Sequence, residues 1–351
     1  MSGANLYATT LLVYFFIDVL AAWGLNLQYG LFGMYNFAFI LFQSIGAYTA
    51  AVLTLGPPKH VFGTQDYFFG AQLPFPLPIV IAGGVAGVLG LIVALLLSRN
   101  LRSDYEAIVT FGLSIMALLI VTAVVPLFNG ASGLAQVPEP LQGTLGLGAG
   151  AYSWVFVGFS GLICLASYGV LRRVQGSPFG RALRAVRESR DGAAALGVNA
   201  TWCRIVVSVF GAVLAGVSGA LLVEFITAWS PAAWTYVESL TIFSAIIVGG
   251  VGNDIGVLLG VFATEIVFAE GSTFLPTSLP PNLVGSLPWI LIGIVTLAFL
   301  WARPQGIVPE RRDCVRISKR RAAAVTWDVP THGDFADLRD IVDGGVASGR
   351  G

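Results

Sequence analysis

The residues best placed for directed chemistry lie in one charged island, residues 177–199, where Arg181, Arg184, Arg187 and Glu188 stand between long apolar runs. A guanidinium offers planar, paired N–H donors to carboxylates, so the chemistry of this set is charge-assisted docking. Phe179, Leu183, Val186 and Leu196 recur at helical steps beside them. Two carboxylates, Asp18 and Glu265, sit inside apolar runs, where an ionisable group is costly and by default marks a functional position. Neither has a basic or carboxylate neighbour in its own run, which argues against a proton relay. Glu224, Glu238 and Glu270 fall near expected outer ends, within reach of water.

Other chemistries lack their residues. Neither Lys59 nor Lys319 stands in a Gly-x-x-x-x-Gly-Lys-Ser/Thr setting, so no P-loop is expected. His60 and His332 have no neighbouring cysteine, and Cys164, Cys203 and Cys314 are scattered, so neither a metal site nor a disulfide framework is expected. An intramembrane hydrolase would need paired carboxylates or a Ser/His/Asp set at membrane depth, and none is legible. The expectation is a protein that is not an enzyme and needs no cofactor.

The elements that must position these residues are written in the composition. The chain has 351 residues, 56% hydrophobic and 11% charged, with mean hydropathy +0.81. Soluble domains carry about 25% charged residues. The fold class expected is therefore all-α, a polytopic transmembrane helical bundle of about 8–10 crossings. Apolar runs at 7–25, 37–55, 77–97, 105–127, 151–171, 205–226 and 284–302 supply single spans. The first is taken as a retained span and not a signal peptide, since no basic residue precedes it. The segment 236–270 is too long for one crossing and must fold back at Gly249, Gly250, Gly252 and Gly256. Arg99, Arg102, Arg172, Arg173, Arg303, Arg311 and Arg312 assign their ends to the cytoplasm and the amino terminus to the outside. Residues 1–302 then form the transmembrane domain with a cytoplasmic loop at 172–204, and 303–351 form a cytoplasmic polar tail. Net charge is zero, so no global field favours nucleic acid.

Ser177, Pro178 and Gly197 mark the start and stop of an amphipathic helix of about five turns across the island. Between the first two runs, Gly30, Gly33, Asn26 and Asn36 make a stretch too polar for a lipid-facing helix. Irregular backbone at membrane depth is buried in protein or lines a cavity. With Gly249, Gly250, Gly252 and Glu265, these residues are the candidates for a translocation pathway. Gly211, Ala215 and Gly219 form a small-residue stripe suited to close helix packing.

Arg-Ala-Leu-Arg-Ala-Val-Arg-Glu-Ser at 181–189 and Ala193 to Val198 resemble the cytoplasmic coupling loop of the permeases of branched-chain amino acid ABC importers. Leu25-Asn26-Leu27, Gly30, Gly33 and Gly46-Ala47-Tyr48 resemble that family's first signature. Gly249-Gly250-Val251-Gly252 resembles its glycine turn, and Arg303-Pro304-Gln305-Gly306 its closing Pro-x-Gly. The resemblance implies an inner-membrane permease subunit without its own ATPase. It would work with cytoplasmic ATP-binding subunits, a second related permease subunit and a periplasmic substrate-binding protein. It also implies that Arg181, Arg184, Arg187 and Glu188 contact the ATPase, that Phe179, Leu183 and Leu196 fill its groove, and that Gly197 ends the helix. Tyr35 to Phe39 depart from the common pattern, so a urea or short-amide permease stays open. So does an ion-coupled secondary carrier, as a different class.

Overall fold

Each of these apolar runs is helical in a computed structural model of the chain, which describes residues 3–57, 65–97, 103–140, 149–234, 236–269 and 281–310. Lys59, His60, Arg99, Arg102, Glu270 and the tail from 311 lie outside the described residues. In chain order the main elements are α1 (Gly3–Asn26), running into a π-helical stretch Leu27–Phe32, then α2 (Phe39–Thr54), α3 (Leu77–Leu96) and α4 (Ser103–Ala123). There follow α5 (Ala149–Gly176), two short helices α6 (Pro178–Glu188) and α7 (Arg190–Ala195), and the long α8 (Ala200–Ile226). The chain continues as α9 (Tyr236–Gly249), α10 (Asp254–Val261) with a second π-helical stretch Phe262–Ala269, and α11 (Pro281–Ala302).

The protein is an all-α polytopic membrane bundle. Six helical segments among the described residues are long and apolar enough to cross a bilayer, and two shorter apolar helices, Phe39–Thr54 and Ser286–Ala302, accompany them. Exposed Val80, Ile108, Met116, Leu165 and Leu297 give the bundle an apolar exterior, the inverse of a water-facing surface. The segment 236–269 is divided at the glycine turn, as its length requires, and α9 and α10 pack on one another as a hairpin.

The centre of the bundle is α8, which packs chiefly against α3, α2 and α1. Its small residues make that possible. A Cβ added at Gly211 would lie 2.8 Å from the Gly24 carbonyl oxygen, so α1 and α8 touch backbone to backbone. Without a hydrophobic drive between helices in lipid, such close van der Waals approach is what holds them.

The packed unit runs on to Glu310, beyond the boundary at 302 that composition marks. The last carbonyls of a helix have no intrahelical partner. Here the Val248 and Gly249 carbonyls accept from the Ile307 and Val308 amides at 2.9 and 3.0 Å, which binds residues 303–310 to the end of α9.

Candidate functional site

The charged island folds as two helices, not one. Ser177 caps α6, its Oγ accepting from the Gly180 amide at 3.3 Å. The helix then stops at Ser189, whose backbone is extended and whose Oγ accepts from the Gly192 amide at 3.0 Å. A serine favours an N-cap over a helix interior because its hydroxyl competes for backbone amides, and here it starts α7 at the expense of a continuous helix. Gly197, at φ +82°, closes the pair, and the Asn199 side chain starts α8 by accepting from the Trp202 amide at 3.0 Å.

The apolar face of this pair is used within the chain. Leu183 is fully buried, Val186 and Ala193 nearly so, and Phe179 is half-buried against the same core. The expectation that Leu183 fills a partner's groove is therefore corrected, because its groove is supplied by this chain. Leu196 is 83% exposed, and Arg181, Glu188 and Gly197 are exposed beside it.

Arg184 and Arg187 also turn inward. Arg187 Nη2 lies 2.6 Å from Glu310 Oε2 and Arg184 Nε lies 3.5 Å from Glu310 Oε1. Arg187 Nη1 donates to the Gly30 carbonyl. One side chain of α6 thus touches both the π-helical stretch after α1 and the segment after α11. Glu310 escaped the sequence reading because residues from 303 read as a solvated tail.

Most pathway candidates meet at this same end. The Asn26 side chain is fully buried; its Oδ1 accepts from the Gly252 amide at 2.9 Å and its Nδ2 donates to Asp254 Oδ1 at 3.3 Å. Gln175 Nε2 donates to both Asp254 oxygens at 2.7 Å, and Trp23 Nε1 donates to the Asp254 carbonyl at 2.9 Å. Gly30 lies against Gly252, and Gly33 lies against the Arg187 stem. Asn36 donates to Gln28 Oε1 at 2.7 Å, and Gln28 donates to the Ser208 carbonyl at 3.3 Å. The polar side chains of this stretch are buried and hydrogen-bonded within the protein. Asn26 and Gly252 form the centre of a hydrogen-bonded junction of α1, α5 and α10, with Gly30 packed against it and the Gly249 carbonyl bonded to the Val308 amide beside it. Asp254 and Gln175 complete it, and both were missed because each reads singly as a loop or helix-end residue.

Gly250 and Gly252 make the turn, with φ of +127° and +82°. A β-branched side chain at such φ is a steric outlier. Gly250→Val is expected to cost about 1–3 kcal/mol and to lower the thermal midpoint of the detergent-solubilised protein, read by fluorescence-detected gel filtration after heating.

A second buried charge set joins α4 to α8. Glu106 is fully buried, with Oε1 at 2.6 Å from Arg204 Nη2 and 3.4 Å from Arg190 Nη2, and Arg204 also donates to the Leu97 carbonyl. Glu106 lies inside the run 105–127, a signal that was legible. Glu265 stands apart from all of this, on a cavity with Asp18 and Glu238. Glu224, expected within reach of water, is 1% exposed, and among the described residues neither of its carboxylate oxygens has a hydrogen-bond partner. The packing of α8 through the middle of the bundle encloses it.

These features define a multi-pass membrane protein with a helix pair clamped to the turns at Gly30 and Gly252. A family model described as the branched-chain amino acid transport system permease component matches residues 7–300, and the chain belongs to that family. The high-affinity branched-chain amino acid transport system permease protein LivM of Salmonella typhimurium is 26% identical over 342 residues, covering 90% of this chain and 72% of that protein. The probable LivM permease of Methanocaldococcus jannaschii is 28% identical over 336 residues, covering 86% and 93%. The LivH permease of Escherichia coli K12 is 27% identical over 302 residues, covering 82% and 91%. No solved structure matches the chain significantly.

Proposed function

We propose that this chain is a permease subunit of an ATP-binding cassette importer that carries branched-chain amino acids across the bacterial inner membrane. It has no ATPase site of its own and performs no covalent chemistry. Its partners are cytoplasmic ATP-binding subunits, a second related permease and a periplasmic substrate-binding protein. The relatives named for branched-chain amino acid transport support the substrate class.

The observation that carries the mechanism is the α6–α7 pair. Its inner face is held by Leu183, Val186 and the Arg187 contacts to Glu310 and Gly30, while Arg181, Glu188 and Leu196 are left exposed on its outer face. A docked ATPase that changes shape on nucleotide binding would pull on the outer face, and the inner contacts would carry that displacement to the Gly30 and Gly252 turns. A partner shifts the permease only in so far as it binds its states differently. An exposed leucine rimmed by charges suits such an interface, with an apolar anchor inside a polar border.

The test is co-purification. Leu196→Asp combined with Arg181→Glu is expected to lower ATPase recovered with the chain from detergent-solubilised membranes by about tenfold, equivalent to about 1.4 kcal/mol of docking energy, while membrane insertion is unchanged. Full recovery of ATPase with this variant would move the docking surface elsewhere.

A further inference from the structure

The span α5 ends in two adjacent arginines that the proposed mechanism does not use. Arg172 and Arg173 are both exposed, and among the described residues neither makes an ion pair. Arg172 is nevertheless held in place. Its Nε donates to the Tyr168 hydroxyl at 2.9 Å, and its guanidinium carbon lies 5.4 Å from the centre of that ring. Tyr168 in turn packs on Trp23, ring centres 5.5 Å apart, and Trp23 Nε1 donates to the Asp254 carbonyl of the junction. Gln175, one turn on from Arg172, reaches the Asp254 carboxylate. The end of α5 therefore gives its amide to the protein and leaves oriented guanidinium groups to its surroundings, a geometry suited to an oxyanion.

What adjoins these arginines is apolar. Leu162, Leu165, Gly169 and Arg172 follow one helical face at steps of three and four, with Val170 and Arg173 in the neighbouring row. Leu162, Leu165 and Val170 are exposed at 63%, 67% and 41%. A Cβ added at Gly169 would meet nothing within 4 Å, so the face stays open between the leucines and the arginines. With α4, α5 is one of the two least buried of the six spanning segments. An acidic patch on a soluble protein could meet the guanidinium groups, but it could not follow Leu162 and Leu165 into the hydrocarbon. A phospholipid does both. Its chains lie along the apolar face, and its phosphate stands where a spanning helix leaves the hydrocarbon and its basic side chains reach for the interface.

We infer that the end of α5 is a binding site for an anionic membrane phospholipid. Arg172 and Arg173 take the headgroup phosphate, and an acyl chain lies along Leu162, Leu165 and Val170, crossing the open place at Gly169. The site goes beyond the transport reading and depends on no particular transported substrate. Because Arg172 is tied through Tyr168 and Trp23 to the Asp254 carbonyl, a bound headgroup braces from outside the same helix end that holds the junction from within. A lipid bound there by the folded chain alone raises its stability.

The experiment is native mass spectrometry of the purified full-length protein, with the subunits that accompany it, titrated with dioleoylphosphatidylglycerol or with dioleoylphosphatidylcholine, which has the same chains and no net charge. The first phosphatidylglycerol is expected to bind about tenfold or more tighter than the first phosphatidylcholine, each basic group near an anionic lipid contributing about fivefold. Arg172→Gln combined with Arg173→Gln should abolish that preference and leave phosphatidylcholine binding unchanged, a contrast that misfolding cannot produce. Tyr168→Phe, which releases Arg172 without altering any charge, should reduce the preference in part. Arg303→Gln removes an exposed arginine from the end of a different span and should leave the preference intact. In a parallel thermal melt, phosphatidylglycerol should raise the midpoint of the unaltered protein above that in phosphatidylcholine, and inorganic phosphate should not. Equal affinity of the unaltered protein for the two lipids, as expected if another subunit covers this face of α5, would overturn the site. So would an undiminished preference in the double variant, or an equal loss in Arg303→Gln, which would mean that charge acts diffusely. Stabilisation by inorganic phosphate equal to that by phosphatidylglycerol would overturn the lipid as its occupant.

Discussion

Arg204→Met is expected to destabilise the bundle by about 3–5 kcal/mol, the cost of leaving a buried charge without its partner. Glu106 is fully buried and accepts its 2.6 Å contact from Arg204; the remaining contact, from Arg190, is 3.4 Å and comes from a residue more than a third exposed. The same substitution frees the Leu97 carbonyl from its arginine donor. Unfolding of the solubilised protein, followed by intrinsic fluorescence against denaturant or heat, is the measurement. The double variant Glu106→Gln with Arg204→Met should recover much of the loss, because removing both ions abolishes the charge whose desolvation is unmet. A single variant as stable as the wild type would mean that water reaches Glu106. Since Arg190 begins α7 and Arg204 lies in the first turns of α8, this ion set is also the stitch that fixes the peripheral helix pair to the start of α4.

Arg187→Glu is expected to lower ATP-driven uptake at least about tenfold while the chain still inserts and still binds its ATPase. The substitution sets two carboxylates against each other where the present contact is 2.6 Å, and it removes the donor to the Gly30 carbonyl. Both side chains are partly exposed, so the pair's contribution to overall stability is modest. Its importance is positional: it joins α6 to the π-helical stretch and to residue 310. Exchanging the charges, with Glu310→Arg in the same chain, should restore part of the uptake, and a double-mutant cycle on uptake and ATPase rates would measure the coupling. Uptake equal to wild type in the single variant would show that force reaches the bundle by another contact. The distinction from the Leu196 and Arg181 variant is sharp, since that one should lose ATPase binding and this one should retain it.

Local pattern made several of these features legible before any tertiary structure. The cap at Ser177, the stop at Gly197 and the turn at Gly249 to Gly252 follow from residue type and position, because they depend on backbone conformation and on hydrogen bonds only a few residues long. Ser189 was within the same reach, yet its role as a cap competes with helix continuation, and only the packing of Leu183, Val186 and Ala193 against the core decides the angle at which the chain must break.

What the sequence determined by itself is the class of molecule and its segmentation. Apolar runs of spanning length must be helical in lipid, since every backbone polar group needs an internal partner there, and the glycine turn must divide 236–270 because one helix of that length overreaches the bilayer. Tertiary structure alone decided which polar residues face one another. Asn26 could line a path or be sealed against Gly252 and Asp254; Arg187 could reach for a partner or for Glu310; Asp18 could stand alone in its span or share a cavity with Glu238 and Glu265. These outcomes depend on contacts between segments separated by more than a hundred residues, and no helical period or local propensity carries that information.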